Sequence, residues 1–333
     1  MTRPRPIEAT AKRLVALALV LAIVLAAAIV SAQQRIPRIG YLGLGKPGPS
    51  LVGEAFHQGL RDLGYVAGKT INVDTRLADG DEARLRAFAR ELARQKVDVI
   101  VAAGSPAIRA ARDATKQIPI VMAVSGDPLA AGFIASYGRP GGNVTGLSSV
   151  SPELSGKRLQ LLTEIVPGLA RVALVSNPDS PENAPERQSL QGAARAMNVQ
   201  LHLIDVRSTP ELRAAVARIA RIQAQALVFL GDAFTFAHRA QMIELATKAQ
   251  LPAIFPSKEF VEAGGLVAYG PNLPDLFRRS ASYVDRILKG ATPASLPVEQ
   301  PATFELVINR RTELLLGVTI PPALMMRADE VFE

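Results

Sequence analysis

The stretch Ile118–Leu147, IPIVMAVSGDPLAAGFIASYGRPGGNVTGL, decides the fold of this chain. It opens as an apolar strand, breaks at the polar turn Ser125-Gly126-Asp127-Pro128, and continues as a predicted helical run over 129–137. A Gly- and Pro-rich turn then leads into a second predicted strand over 143–147. A segment that ends one α/β unit and feeds another is where a two-lobed protein places its hinge and its cleft.

Strands and helices alternate on both sides of this stretch, which predicts an α/β fold with two parallel sheets and right-handed crossovers. Apolar residues at helical spacing mark the helices, and near-continuous apolar runs mark strands that are buried on both faces. We predict strands over 38–42, 71–77, 97–102, 171–175, 199–206, 226–230, 252–255, 266–269 and 304–308. We predict helices over 54–63, 83–95, 106–115, 152–166, 186–197, 210–222, 235–249, 258–263, 272–289 and 310–316.

The two predicted arrays form two lobes that are joined by hinge crossings. The first lobe is expected to comprise residues 36–149 plus about 270–300, and the second 150–269 plus about 301–327. By analogy with two-lobed folds, the long helix over 272–289 is expected to pack back on the first lobe. Which lobe holds the tail after Pro301 does not follow from the sequence.

Composition excludes several classes of function. The chain has 333 residues, 48% of them hydrophobic and 20% charged, which is typical of folded protein with room for two domains. Its formal charge of +8 falls to +5 without the first 32 residues, and the basic residues form no stripe. With 5% aromatic residues and no Trp, nucleic-acid binding is not supported. The absence of Cys excludes disulfides, thiolate metal sites and a lipid-modified N-terminal Cys, and no cofactor is predicted.

The N-terminus has the three-part pattern of a secretory signal peptide over residues 1–32. Four basic side chains precede the apolar run Leu14–Val30, and Val30-Ser31-Ala32 supplies small residues at the spacing of a cleavage site. We therefore expect a mature N-terminus at Gln33 and a periplasmic protein. The alternative is an uncleaved membrane anchor, since the run is close to the shortest length that spans a bilayer.

Polar residues recur directly after the predicted strands, where ligands bind in open α/β sheets. Ser105 is expected at the N-cap of a helix, with Pro106 as its first residue, and Ser125 and Asp127 repeat this arrangement one strand later. Free N–H groups at such helix starts favour an anion, and carboxylates after strands suit an ammonium group. The predicted ligand-binding residues are Leu44, Gly104, Ser105, Pro106, Ser125, Asp127, Asn177, Asp232, Phe234, Glu259 and Tyr269.

Capping is the alternative explanation for several of these residues. Ser105, Asp127 and Asp232 would be placed in the same way if each only capped the helix that follows it. The three histidines, His57, His202 and His238, show no metal-ligand spacing, and no G-x-S-x-G elbow appears. A pair of carboxylates such as Asp232 and Glu259 suits either a hydrolase or a cation site.

Several segments resemble the TrpX-like substrate-binding proteins of ABC transporters, over about Arg38 to Glu333. The matching segments are IPIVMAVSGDP (118–128), GRPGGNVTGLS (138–148), FHQGLRDLGYVAGKTINVDTRLADGD (56–81), VDVIVAAGSPA (97–107), ELSGKRLQLL (153–162), VFLGDAF (228–234), EFVEAGGLVAYGPN (259–272) and LPVEQPATFELVIN (296–309). The resemblance implies a two-lobed fold of the periplasmic-binding-protein type. It also implies that the protein passes a small solute to a permease in the inner membrane.

We therefore expect an extracytoplasmic solute-binding protein of an ABC import system that is not an enzyme. It would act as a monomer and capture a small polar solute, with an amino acid or a related compound as the best match to the predicted site. The alternative is an extracytoplasmic enzyme or a ligand-sensing module on the same fold. Turnover of the bound compound would separate the two.

Overall fold

The computed structural model describes residues 35–149 and 153–333, which form two sheets with helices on both faces. The predicted signal peptide over 1–32 and residues 150–152, at the predicted start of the second lobe, lie outside the described residues. Within the two described ranges, no helix is long and apolar enough to cross a membrane.

The first sheet is parallel throughout, with the strand order β2-β1-β3-β4-β5. Its strands are β1 (Arg38–Gly43), β2 (Asn72–Leu77), β3 (Val99–Ala103), β4 (Ile120–Val124) and β5 (Val144–Gly146). The helices between them are α1 (Leu51–Asp62), α2 (Glu82–Arg94) and α3 (Ser105–Ala114). The central strands β3 and β4 are almost fully buried, as their apolar sequences predict.

The second sheet has the order β12-β11-β10-β9-β8-β6-β7 and is parallel except for the antiparallel pair β10 and β11. Its strands are β6 (Arg171–Ser176), β7 (Gln200–Asp205), β8 (Ala226–Phe229), β9 (Ala253–Phe255), β10 (Val267–Pro271), β11 (Phe304–Asn309) and β12 (Glu330–Phe332). The associated helices are α4 (Glu153–Ile165), α5 (Asn183–Ala196), α6 (Thr209–Arg221), α7 (Ala233–Ala237), α8 (Arg239–Ala249), α9 (Lys258–Glu262), α11 (Arg310–Leu316) and α12 (Pro322–Met325).

The last long helix, α10 (Leu273–Leu288), follows a strand of the second sheet but packs against α1 and β4 of the first sheet. The two helices cross closely at Gly59, where a Cβ atom would lie 2.2 Å from the carbonyl oxygen of Arg278. The hydroxyl of Tyr65 also donates to a carboxylate oxygen of Asp285 in α10, at 3.0 Å. This helix therefore joins the first lobe by both backbone contact and hydrogen bonding.

The chain passes between the two sheets after β5, after β10 and again before β11. The last passage includes a short 3-10 helix, Pro293–Ser295, and a bridge between Leu147 and Glu299. Val121 and Leu174 belong to different sheets, and the predicted two-lobed α/β fold is confirmed. The segment boundaries given above for each lobe stay a prediction.

Two predicted helices are wrong. The run over 129–137 forms turns rather than a helix, because Gly132 adopts a φ of 68° and ends the single turn that Asp127 begins. The helix predicted over 235–249 is divided into α7 and α8 at His238, whose φ of −109° departs from the helical value. The tail strand β12 was not predicted, because three residues give too short a pattern.

Candidate functional site

The first lobe supplies Gly104 and Ser105, where β3 ends and α3 begins. The prediction that Ser105 is the N-cap is wrong, because Gly104 takes the cap position with a φ of 89° and no side-chain capping bond is made. Ser105 is already the first residue of the helix, with Pro106 behind it. Since the glycine makes the turn, the Ser105 hydroxyl is free to point away from the helix, and it donates to Oε2 of Glu182. Ser105 itself is 5% exposed.

Glu182 reaches the first lobe from the loop between β6 and α5. Its other carboxylate oxygen, Oε1, accepts a hydrogen bond of 3.1 Å from the Ser180 hydroxyl. The carboxylate also lies against the backbone of Gly126, where a Cβ atom would be only 2.7 Å from Oε2. Through Ser105 and Gly126, this one side chain joins the two lobes at the ends of β3 and β4.

Burial raises the pKa of the Glu182 carboxyl above its usual range. Hydrogen bonds from the Ser105 and Ser180 hydroxyls partly offset that rise, and the nearby Asp232 carboxylate adds to it. The Arg109 guanidinium acts in the opposite direction, but this side chain is exposed. The net result is a carboxylate that is costly to keep charged unless a further positive group approaches it.

Asp232 lies beside Glu182 at the end of β8 and uses its two oxygens differently. Oδ1 caps α7 by accepting from the backbone N–H and the hydroxyl of Thr235, at 2.8 and 3.1 Å. Oδ2 accepts a hydrogen bond of 2.6 Å from Nδ2 of Asn183. Asp232 is 5% exposed, and burial raises its pKa. Asp232 therefore caps α7, as the alternative explanation predicted. It also accepts the hydrogen bond from Asn183, which capping does not require.

Asn183, the first residue of α5, is 1% exposed. Its Nδ2 donates to Asp232 and, at 3.0 Å, to the carbonyl oxygen of Asn177. Its Oδ1 is buried and has no hydrogen-bond partner among the described residues. Asn177, which was predicted to bind ligand, uses its side-chain Oδ1 to accept a hydrogen bond from the Asp179 N–H and so shapes the loop.

Ser125 lies at the end of β4, next to Gly126, and is fully buried. Its backbone N–H and C=O bond to Leu147 and Ser149, but its hydroxyl has no partner among the described residues. Asp127 accepts from the N–H groups of Leu129 and Ala130, both at 3.0 Å, which is the capping role. Thus Ser125 keeps an unpaired hydroxyl at the end of β4, whereas one oxygen of Asp127 is occupied by the N–H groups that it caps.

Among the described contacts, those of Leu44, Glu259 and Tyr269 do not involve Glu182 or Asp232. Phe234 differs, because its backbone N–H is hydrogen-bonded to the Asp232 carboxylate. Leu44 packs against the core of the first lobe, and Phe234 packs against the core of the second, with its ring 4.3 Å from that of His238. Tyr269 also packs on the second core, 6.1 Å from the ring of Phe304. Glu259 has a pKa raised by burial, and the charges that add to this rise are those of Glu262 and Glu305.

Sequence reasoning missed Arg158, which lies buried in α4 behind the strand ends of the second lobe. Its guanidinium donates to the carbonyl oxygens of Tyr269, at 2.8 Å, and Pro256, at 3.3 Å, and to Oε1 of Glu186, at 2.5 Å. These bonds fix the ends of β9 and β10. The available signal was a basic residue within the apolar segment ELSGKRLQLL.

Glu182 and Asn183 were also missed, because the helix after β6 was predicted to begin only at Glu186. The signal that could have found them was their position in the loop after Asn177-Pro178, at the carboxyl end of a parallel strand. Glu182 is buried and paired with Ser105 only because the two lobes come together, and a local sequence pattern does not predict how the lobes approach each other.

Two α/β lobes that bury polar side chains at facing strand ends define the class of bilobed solute-binding proteins. Residues 45–332 match the family of ABC transporter substrate binding proteins, and this chain belongs to that family. Proteins of this family are extracytoplasmic subunits that bind small solutes and work with membrane permeases.

The chain is similar to a tyrosine-binding protein of Clostridioides difficile, with 26% identity over 260 residues, which are 78% of this chain and 74% of that protein. It is similar to the crystal structure of a conserved domain protein from Vibrio cholerae, with 28% identity and a TM-score of 0.83 over 89% of this chain and 100% of the other. It also shares its fold with an ABC domain from Streptococcus pneumonia in complex with L-Trp, with 24% identity and a TM-score of 0.83 over 90% and 100% of the two chains.

Proposed function

We propose that the protein captures an amino acid or an amino-acid-like solute between its lobes and delivers it to an ABC permease in the inner membrane. It does so as a monomer in the periplasm, after cleavage of the signal peptide before Gln33. The residues proposed to face the solute are those that the two lobes bring together at the strand ends: Gly104, Ser105, Pro106, Ser125, Asn177 and Asp232, with Glu182 and Asn183 added to the predicted set.

The observation that carries this proposal is the hydrogen bond between Ser105 and Glu182. It joins the two lobes at the carboxyl ends of strands in two different sheets. The buried and unpaired hydroxyl of Ser125 is on the residue next to Gly126, which packs against Glu182. The unpaired hydroxyl of Ser125 suits a carboxylate, and the acidic side chains suit an amine, so the cleft offers groups for both ends of a zwitterion. Relatives whose names refer to tyrosine and L-Trp support the same ligand class.

Mass spectrometry of the compound that co-purifies with the native protein tests the ligand class directly. Calorimetric titration with the twenty amino acids, led by L-tyrosine and L-tryptophan, then measures affinity. Co-purification of an amine-free sugar or acid, together with no heat from any amino acid, would contradict the proposed ligand class. Finding the solute and the protein in a periplasmic extract, with Gln33 as the N-terminal residue, would support the proposed compartment.

We also propose that the protein releases its solute unchanged. The buried carboxylates of Glu182 and Asp232 are each engaged by neighbouring side chains, and their arrangement provides acceptors for a bound amine rather than a nucleophile. Incubation of the bound solute with the protein, followed by chromatography with mass detection, should return only the starting compound. A time-dependent product would instead favour the enzyme alternative.

A further inference from the structure

Three hydrogen-bond acceptors of the second lobe lie together in the cleft: the carboxylates of Glu182 and Asp232 and the amide oxygen of Asn183. We call them the acceptor cluster. Asn183 bonds directly to Asp232, and the charge of Asp232 acts on Glu182. Within residues 35–149 and 153–333, the hydrogen-bond donors to these two carboxylates are neutral groups, namely hydroxyls, an amide and backbone N–H groups. As far as the described residues show, two buried carboxylates therefore share one site without an ion pair of their own.

The orientation of the Asn183 amide is fixed by its partners. Its Nδ2 donates to the Asp232 carboxylate and to the Asn177 carbonyl, so a flipped amide would place oxygen against two acceptors. Oδ1 is thereby held as an acceptor, buried and without a donor among the described residues. A buried amide oxygen is normally hydrogen-bonded, so this atom points to a ligand group that donates.

We propose that the acceptor cluster is the amine subsite of the cleft and selects solutes that carry a protonated amino group. An ammonium group has three N–H donors and a positive charge, which matches three acceptors of which two are carboxylates. This inference rests on the proposed function and specifies that the second lobe binds the amine end of the solute.

Glu182 also couples the amine subsite to closure of the cleft. Its carboxylate belongs to the second lobe, but Ser105 of the first lobe donates to it and Gly126 of the first lobe packs against it. A solute that neutralises this carboxylate favours the closed arrangement, in which the carboxylate is buried. An amine should thus bind the closed state more tightly than the open state, and this difference in affinity is what shifts the protein toward closure.

Titration of the wild-type protein with L-tyrosine, with 3-(4-hydroxyphenyl)propionate, which lacks the amine, and with tyramine, which lacks the carboxylate, tests the proposal. L-tryptophan with indole-3-propionate and tryptamine provides a second series. We expect loss of the amine to weaken binding by about 30-fold or more, as for the loss of one partner of a buried charge pair.

The variants Glu182→Gln and Asp232→Asn should weaken binding of the amino acid by about tenfold or more and change binding of the amine-free analogue by less than about threefold. Asp179→Asn is the matched control, because Asp179 lies three residues from Glu182 but is exposed and pairs with Arg207. It should bind all three compounds as the wild type does. If a thermal melt shows that a variant is poorly folded, the affinities of the wild-type protein for the amino acid and its analogues still test the amine subsite.

The outcomes separate this inference from the proposed function. Equal affinity for an amino acid and its amine-free analogue would overturn the amine subsite while leaving amino-acid-like solutes in place. Unaltered amino-acid binding in both Glu182→Gln and Asp232→Asn would also overturn it. If none of the twenty amino acids and neither amine binds, the proposed ligand class and the amine subsite both fail.

Discussion

Replacing Gly126 with Ala should impair closure of the cleft without destabilising either lobe. A Cβ atom at Gly126 would lie 2.7 Å from Oε2, 2.8 Å from Cδ and 3.0 Å from Cβ of Glu182. All three atoms belong to the opposite lobe, so the clash exists only when the lobes meet. No positive φ opposes the substitution, because the glycines with positive φ in the described ranges do not include Gly126.

The magnitude follows from the cost of an extra methyl group in a packed contact, which is roughly 1–3 kcal/mol. Applied to the closed state alone, this cost should raise the Kd of the co-purifying solute by about 5- to 150-fold. The thermal midpoint of the protein without solute should stay within about 2 °C of the wild type, because the strained contact can open. Calorimetric titration measures the first quantity and a thermal melt the second.

Gly142→Ala is the matched control, since it also lies in the first lobe but a Cβ atom there would meet nothing within 4 Å. The double variant Gly126→Ala with Glu182→Ala should bind no more weakly than Glu182→Ala alone, because most of the clash is removed with the carboxylate. Wild-type affinity in Gly126→Ala, or an equal further loss in the Glu182→Ala background, would refute the assignment of this contact as the point where the lobes close.

Three further predictions concern the second lobe. Asp232→Ala removes the cap of α7 and should cost about 1 kcal/mol, seen as a fall of roughly 2–4 °C in the thermal midpoint; an unchanged midpoint would contradict it. Arg158→Met leaves the Glu186 carboxylate without its buried partner and should cost about 3–5 kcal/mol in urea unfolding, whereas adding Glu186→Gln should restore part of that loss. Burial raises the pKa of Glu182, so the protonated side chain stabilises the fold below pH 4.5, and this stabilisation is lost as the pH rises through the raised pKa. Over that pH range the wild type should therefore lose more stability than Glu182→Gln. Urea midpoints of the two proteins that change in parallel with pH would refute this.

The alternation of apolar strands and amphipathic helices was enough to predict the two lobes. Strands such as β3 and β4 are buried on both faces, so their sequences are apolar along their whole length and are easily recognised. The failures occurred where local geometry overrides composition. At 129–137 the residues favour a helix, but the positive φ of Gly132 ends it after one turn. At His238 a one-residue break divides a pattern that is otherwise continuous.

The polar residues after strands were predicted because the carboxyl ends of parallel strands meet at one edge of a sheet. That argument places Ser105, Ser125 and Asp232 within a single lobe each, and it contains no information about the opposite lobe. Glu182 acquires its role only when the lobes meet, because its partners Ser105 and Gly126 are more than fifty residues away in the sequence. Site residues of this kind follow from the packing of the lobes rather than from any local pattern.

The anion expected at the start of α3 is present, but it belongs to the protein itself. Ser105 was predicted to bind a carboxylate of the solute, and in the structure it donates to the carboxylate of Glu182. The same helix start cannot hold both anions in one arrangement without bringing like charges together. We therefore expect the carboxylate of a zwitterionic solute to bind at the unpaired hydroxyl of Ser125, on the neighbouring strand of the same lobe, while Glu182 remains available to the amine.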